Sequence, residues 1–364
     1  MAMPDRHHVL GWDVGGAHVK ACLLREGRVI EVAQWACPLW QGIEHLERVL
    51  HLARTRWPQL GRAVHAVTMT GEMTDLFEHR EDGVRRIAAA LTNAFAPTTP
   101  DALHFFAGET RWCRAADVGA HWERIASANW LATASHAAQC IAEGVLIDIG
   151  STTTDLIAFR GGRVMGSSRS DAQRLATGEL VYHGVVRTPL CALGPRIAWR
   201  GLELNVMNEF FATTADVYRL TGELDAAHDL HPSADNAPKD LAATQRRLAR
   251  MIGLDAREAA PDEWLAFAHA WRAKQIDELA GQLRRVIAAH GLSDATVALS
   301  AGCGDFLVDD VCARAGAPRT GLRYGRDVAR VAADALPSGE VVARWAQVCA
   351  PAVAVAALLD SEQR

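Results

Sequence analysis

No stretch of this 364-residue chain is apolar for long enough to cross a bilayer. The longest such run, Val348 to Leu359, has 12 residues and is interrupted by Pro351, against the roughly 20 that a spanning helix needs. Residues 1–8 hold no apolar core of the kind a secretory leader carries. Positive charge is not in excess either. The formal net charge of -5 argues against a general polyanion binder and leaves room only for a local basic pocket. The eight cysteines (Cys22, Cys37, Cys113, Cys140, Cys191, Cys303, Cys312 and Cys349) form no C-x-x-C pair and show no zinc-ligand spacing with histidine. Reduced, mostly buried thiols in a cytoplasmic protein are therefore expected. What the chain does have is core: 49% hydrophobic and 22% charged residues, enough for two sizeable domains.

Comparison of the chain with itself reveals a duplication. Trp12 to Val29 (WDVGGAHVKACLLREGRV) aligns without a gap to Ile147 to Val164 (IDIGSTTTDLIAFRGGRV), at an offset of 135 residues. Asp13 meets Asp148, Gly15 meets Gly150, and Arg25, Gly27, Arg28 and Val29 meet Arg160, Gly162, Arg163 and Val164. Each copy reads as a strand ending in Asp, a glycine turn, a second strand, a tight glycine turn and a third strand. Gly15 and Gly150 allow positive φ or close backbone approach, and the amides of such turns can bind phosphate oxygens. Strand alternation aims Lys20 at the same ligand. One copy alone is equally an ordinary hairpin with Gly and Asp for turn geometry. Two matching copies imply two related lobes and a shared chemical purpose.

The remaining segments leave alternatives open. Ala63 to Met69 reads as a buried strand delivering Gly71, Glu72 and Asp75; these are acid–base groups on a rigid edge, or a solvated loop before a helix capped at Thr74. His104 to Ala107 reads as a short strand, and Ser127 to Glu143 as a helix stopped by Gly144. Arg187 is a fork for a carboxylate or diphosphate, or a surface arginine. Asn208 to Leu220 reads as a helix carrying Glu209 and Asp216 on one face, as an acidic wall or a solvated stripe. His228 to Asp240 reads as a mobile loop or lid. Arg246, Arg247 and Arg250 on the following helix neutralise an anion or simply face solvent. Trp264 and Trp271 have core spacing within a helix from Pro261 to His290. A third glycine turn, Gly302 and Gly304, follows the strand Thr296 to Ser300 and precedes a helix, a favourable place for an anion. Val341 to Leu359 reads as one or two buried helices.

The stretches DVGGAHVK, DIGSTTTD and SAGCGD resemble the phosphate and nucleotide motifs of the actin, sugar-kinase and heat-shock chaperone superfamily, in its hydantoinase A/oxoprolinase-like branch. With TGEMTDLF, SANWLATA, GELVYHGVVRTP, EFFATTADVYRLTGEL and RRLARMIG, the ordered set is similar to the family linked to tetrahydromethanopterin-dependent one-carbon metabolism and methanofuran biosynthesis. The resemblance implies a two-lobed α/β, actin-like (ribonuclease H-like) fold with a central cleft. Its lobes would be residues 1–130 and 131–364, with the last helix able to return to the first lobe. It also implies a transferase that joins an aminomethylfuran diphosphate to γ-glutamyltyramine, the phenol oxygen displacing diphosphate. Asp13 and Asp148 would then orient Mg²⁺ through water. Gly15, Gly16, Gly150, Ser151, Thr152 and Thr153 would form the phosphate turns, with Lys20 and Arg187 as cations. Asp155 would pair with Lys20 or with the metal, and Glu72 or Asp75 would take the phenol proton. Gly302 and Gly304 would shape the far end of the ligand, where SAGCGD is poorer in glycine than the kinase form and ATP is the doubtful occupant. Small-molecule substrates are implied, with no nucleic acid and no membrane, and a homodimer is compatible. The hairpins do not distinguish an ATP tail from a diphosphate ester. An ATP-dependent small-molecule kinase, an oxoprolinase-like amide hydrolase and a non-catalytic nucleotide-binding scaffold therefore stay open.

Overall fold

The computed structural model describes residues 8–95, 102–108, 112–293, 296–317 and 321–364. The strands are β1 (His8–Val14), β2 (His18–Arg25), β3 (Arg28–Ala36), β4 (Val64–Met69), β5 (Leu103–Phe106), β6 (Trp112–Cys113), β7 (Glu143–Ile149), β8 (Thr154–Arg160), β9 (Arg163–Val164), β10 (Leu180–Val181), β11 (Arg196–Trp199), β12 (Leu202–Asn205), β13 (Val297–Ala301) and β14 (Gly321–Arg323). The chain divides into two compact α/β units. One comprises Met1–Gly144, Ile157–Asp171 and Leu322–Arg364; the other comprises Val145–Leu156 and Ala172–Gly321. The division passes through β7, β8 and β14. Residue 130 lies inside the helix Asn129–Cys140, within the first unit.

The first sheet has the order β3-β2-β1-β4-β5-β6, and the second β10-β8-β7-β13-β14, with β9 also on β8. The duplication seen in three strands thus extends to five, in the order third-second-first-fourth-fifth. The hairpin turns match as well: Glu26 and Gly27 (φ 52° and 74°) in one copy, Gly161 and Gly162 (59° and 79°) in the other. Two consecutive left-handed residues suit the right-handed twist of the flanking strands.

In the first unit β1 is antiparallel to β2 and parallel to β4, so it sits inside the sheet with both faces covered. Alternation sends Trp12 to one face, where it meets Phe95 (5.4 Å between ring centroids) and donates through Nε1 to Nδ1 of buried His65. Gly11 faces the other way, against the C-terminal helix Ala350–Gln363. That helix also packs on β2, β4 and Asn129–Cys140, which accounts for its apolar composition. Among the described residues no single helix is long and apolar enough to cross a membrane. The second unit is organised around the 30-residue helix Pro261–His290. Trp264 stacks on Trp199 at 4.7 Å, and both Trp264 and Trp271 are fully buried; these tryptophans are core.

Two boundaries differ from expectation. The helix from Asn129 stops at Cys140, and Glu143 and Gly144 open β7, where Glu143 binds Arg160 at 2.6 Å. The expected Asn208 helix starts only at Thr214, because Thr213 caps it and its N–H donates to Asp216 Oδ2 at 3.0 Å. Glu209 is left exposed in irregular chain. Asp216 is instead fully buried between Arg219 and Arg247, both at 2.7 Å, so the two acids form neither a wall nor a stripe. Arg247 is likewise buried, while Arg246 and Arg250 are exposed. The irregular segment 229–240 is fastened down by Arg247–Asp235, Lys239–Asp229 and Arg219–Asp229 pairs.

A methyl group at Gly11 would stand 1.9 Å from the Ala352 carbonyl oxygen. Gly11→Ala should lower stability by about 3 kcal/mol or more, measured as a fall in the urea midpoint at unchanged slope.

Candidate active site

Each unit carries one glycine turn after its first acid, and the two are built alike. In the first, the Gly15 N–H donates to the His18 carbonyl at 2.9 Å; in the second, the Gly150 N–H donates to the Thr153 carbonyl at 2.8 Å. Neither glycine is left-handed. Of the two reasons for glycine there, close approach is the operative one: a methyl at Gly15 would lie 2.9 Å from the His18 oxygen. The Gly15 amide is consumed in shaping its turn.

The carbonyls of both turns are tied from behind. Val14 O accepts from Thr70, Gly16 O from Leu39 and Ala17 O from Cys37. In the second unit, Ile149 O accepts from Gly304, Gly150 O from Val185, and Ser151 O from both Val186 and Arg187. Among the described residues no protein group accepts from the amides of Ser151 and Thr152. A turn with bonded carbonyls and unspent amides has the donor array of an anion nest. The hydroxyls of Ser151 and Thr152 lie 3.4 Å apart on the same turn.

Glycines permit this backing. Gly302 has φ +86°, and a methyl there would lie 2.2 Å from Ile149 O and 2.6 Å from Asp148 Oδ1. Gly304 packs on the Ile149 side chain, and Gly184 on the Ser151–Thr152 peptide, where a methyl would lie 2.4 Å away. Gly302 and Gly304 therefore meet Asp148 and the second turn directly. Of the stretch Thr177–Pro189 only Leu180–Val181 is strand; the rest folds back so that Arg187, through its amide, is anchored to Ser151. Burial pushes the Arg187 guanidinium pKa down.

In the first unit Asp13 is 4% exposed and lies directly across β2 from Lys20, whose Nζ is 4.0 Å from Oδ2. Asp155 has a partner within the second unit. Buried Arg174 donates to its Oδ1 and to the Glu179 carbonyl, neutralising it within its own unit.

The two candidate bases separate sharply. Asp75 is exposed. Glu72 is 1% exposed in a short turn, Gly71–Met73, which replaces the expected helix start at Thr74; the helix begins at Arg80. This turn is hooked onto the first phosphate turn: a methyl at Gly71 would lie 3.1 Å from Val14 O, and one at Gly16 only 2.7 Å from Thr74 Cγ2. Ser127 Oγ donates to Glu72 Oε1 at 2.8 Å, while Oε2 has no partner among the described residues. Burial pushes the Glu72 carboxyl up to about 7, against the opposing pull of the Ser127 hydroxyl.

A family model described as Hydantoinase/oxoprolinase matches residues 63–357. The chain belongs to the hydantoinase/oxoprolinase family. The chain is 27% identical over 321 residues to a (4-{4-[2-(gamma-L-glutamylamino)ethyl]phenoxymethyl}furan-2-yl)methanamine synthase of Methanocaldococcus jannaschii, covering 88% of this chain and 93% of that protein. A synthase of the same name from Methanococcus vannielii is 28% identical over 166 residues, 46% of this chain and 73% of that one. The nucleotide-free structure of acetone carboxylase superposes with a TM-score of 0.54 at 11% identity, covering 83% of this chain and 66% of that chain; this likeness is one of fold. The stretch common to the hydantoinase/oxoprolinase family includes Glu72, the second turn and the third glycine turn, and begins after the Asp13 turn.

Sequence reasoning assigned no role to Ser127, Arg174 or Gly184. Gly184, a glycine amid strand formers, is the one of the three with a visible signal.

Gly302→Ala should dislodge the second turn, and with it phosphate or diphosphate binding, while the first unit stays folded; calorimetry and hydrogen exchange check both. The Glu72 carboxyl holds its proton to about 7 when folded but only to 4.5 in its ordinary state. Its contribution to stability is therefore complete below pH 4.5 and lost as pH rises through 7. Relative to Glu72→Gln, the native chain should lose on the order of 3 kcal/mol across that window in parallel denaturant titrations.

Proposed function

We propose that this chain is a transferase of methanofuran-type cofactor assembly, joining an aminomethylfuran diphosphate to γ-glutamyltyramine within tetrahydromethanopterin-linked one-carbon metabolism. The observation that carries the reading is the match along 93% of the Methanocaldococcus jannaschii synthase. The geometry supports it with turns suited to a diphosphate and a carboxyl that titrates near neutrality.

In the proposed step the phenol oxygen forms a bond to the furanylmethyl carbon. The bond from that carbon to the diphosphate oxygen breaks, and diphosphate leaves with the electron pair. The phenol proton passes to Glu72. A base with a pKa near working pH is half ionised yet basic enough to accept a proton. Since Glu72 is 1% exposed, the step also requires the Gly71–Thr74 turn to admit the phenol oxygen. Within the second unit the amides of Ser151 and Thr152 hold the departing diphosphate, and Arg187 adds positive charge.

Mg²⁺ is tested against the donors present. Among the described residues no group of three or more His, Cys, Asp or Glu could form a protein cage. A single carboxylate at each turn, Asp13 or Asp148, suits an ion that keeps its waters and leans on substrate phosphates. Held there, it would neutralise charge on the leaving diphosphate.

The test is incubation of the full chain with Mg²⁺, the aminomethylfuran diphosphate and γ-glutamyltyramine. Mass spectrometry should find ether and diphosphate in equal amounts without added ATP. Asp148→Asn should stay folded and lose most of this activity. Product that forms only with ATP consumption would overturn the reading.

A further inference from the structure

We propose that Ser127 is the positioning residue for Glu72: its hydroxyl occupies Oε1 and leaves Oε2 as the oxygen that takes the proton. This rests on the reading of Glu72 as the base.

Three observations converge on Ser127. Its hydroxyl reaches Glu72 from 55 residues away in sequence, at 2.8 Å, with both side chains buried. Its φ is +52°, and it is the one buried residue among four described non-glycine residues with positive φ. The other three, Glu26, Arg200 and Asn236, are exposed, and the first two precede a glycine in a hairpin turn. A non-glycine residue in this region carries strain that persists only where its surroundings over-determine it. Ser127 lies in the corner between the helices Trp122–Ile125 and Asn129–Cys140, and an ordinary φ would swing its Cβ to a different direction. The third observation is the opposite side of Glu72. Gly83 brings the helix Arg80–Phe95 so close that a methyl there would lie 2.7 Å from the Glu72 Cα. The main chain of Glu72 is thus held by Gly83 and one oxygen by Ser127, while Oε2 has no hydrogen-bond partner among the described residues.

The electrostatics agree. A donor on one carboxyl oxygen favours the ionised form and opposes burial. Asp171 is the charged group that acts on Glu72, and it works against ionisation; Gly83 and Ser127 bring no charge.

The test uses the full chain with Ser127→Gly, which accepts the backbone angle without strain and removes the hydroxyl, alongside Ser127→Ala. Carbon-13 NMR of labelled glutamate carboxyls, assigned against Glu72→Gln, gives the Glu72 midpoint directly. Both variants should raise it by about one pH unit, the equivalent of one hydrogen bond to a charged group. The acid limb of kcat/KM should move upward by the same amount, with the melting temperature of Ser127→Gly unchanged. An unmoved Glu72 midpoint in both variants overturns the proposal whatever the activity does. A moved midpoint with an unmoved acid limb upholds the coupling and overturns Glu72 as the base.

Discussion

Every peptide group in a turn carries a donor and an acceptor, so a turn can present net positive character to an anion only if its carbonyls are bonded elsewhere. Much of the fold serves this constraint. Segments that arrive from far along the chain supply the bonds: Leu39, Cys37 and Thr70 behind the first turn; Val185, Val186, Arg187 and Gly304 behind the second. The backing strands must come within a peptide's thickness. The positions that do so are glycines, Gly71 in one unit and Gly184 and Gly302 in the other. Their lack of a side chain is what brings the carbonyls within bonding distance.

Charge is handled in two different ways. In the second unit the buried acids are matched: Asp155 by Arg174, and Asp216 by Arg219 and Arg247. Removing one partner from such a pair leaves an uncompensated buried charge, so each partner fixes the other's place. Glu72 has no cation among the described residues, only uncharged hydrogen-bond donors, the Ser127 hydroxyl first among them. Burial without a counter-charge raises its pKa to about 7, whereas Asp216 is kept in a network that also fastens the 229–240 segment. A buried carboxyl group is matched by arginine in one unit and by no cation among the described residues in the other, according to what surrounds it.

Periodicity and the duplication made the architecture legible. The helix Pro261–His290, its tryptophans as core, the paired C-terminal helices and both glycine hairpins were all readable from local pattern, because a strand–turn–strand unit or an amphipathic helix is written in adjacent residues. Misplaced boundaries share one cause. Glu143 and Gly144 joined a strand, and residues 208–213 stayed irregular, because sheet pairing and a capping box outweighed helix-compatible composition. The pairing of Asp155 with Arg174 was not legible for a related reason: the two are 19 residues apart and nothing local marks them as neighbours.

By itself, the sequence determined that two related hairpins exist and that each places one acid before a glycine turn, since repeated local pattern needs no knowledge of distant contacts. Only the tertiary structure decided which turn atoms remain available and which acid is buried without a cation among the described residues. Those properties depend on backbone approaches across Gly71, Gly184 and Gly302, and on a strained serine 55 residues from the carboxyl it holds. Hydrogen-bond satisfaction and desolvation are set by what packs around a group, and packing partners come from anywhere along the chain.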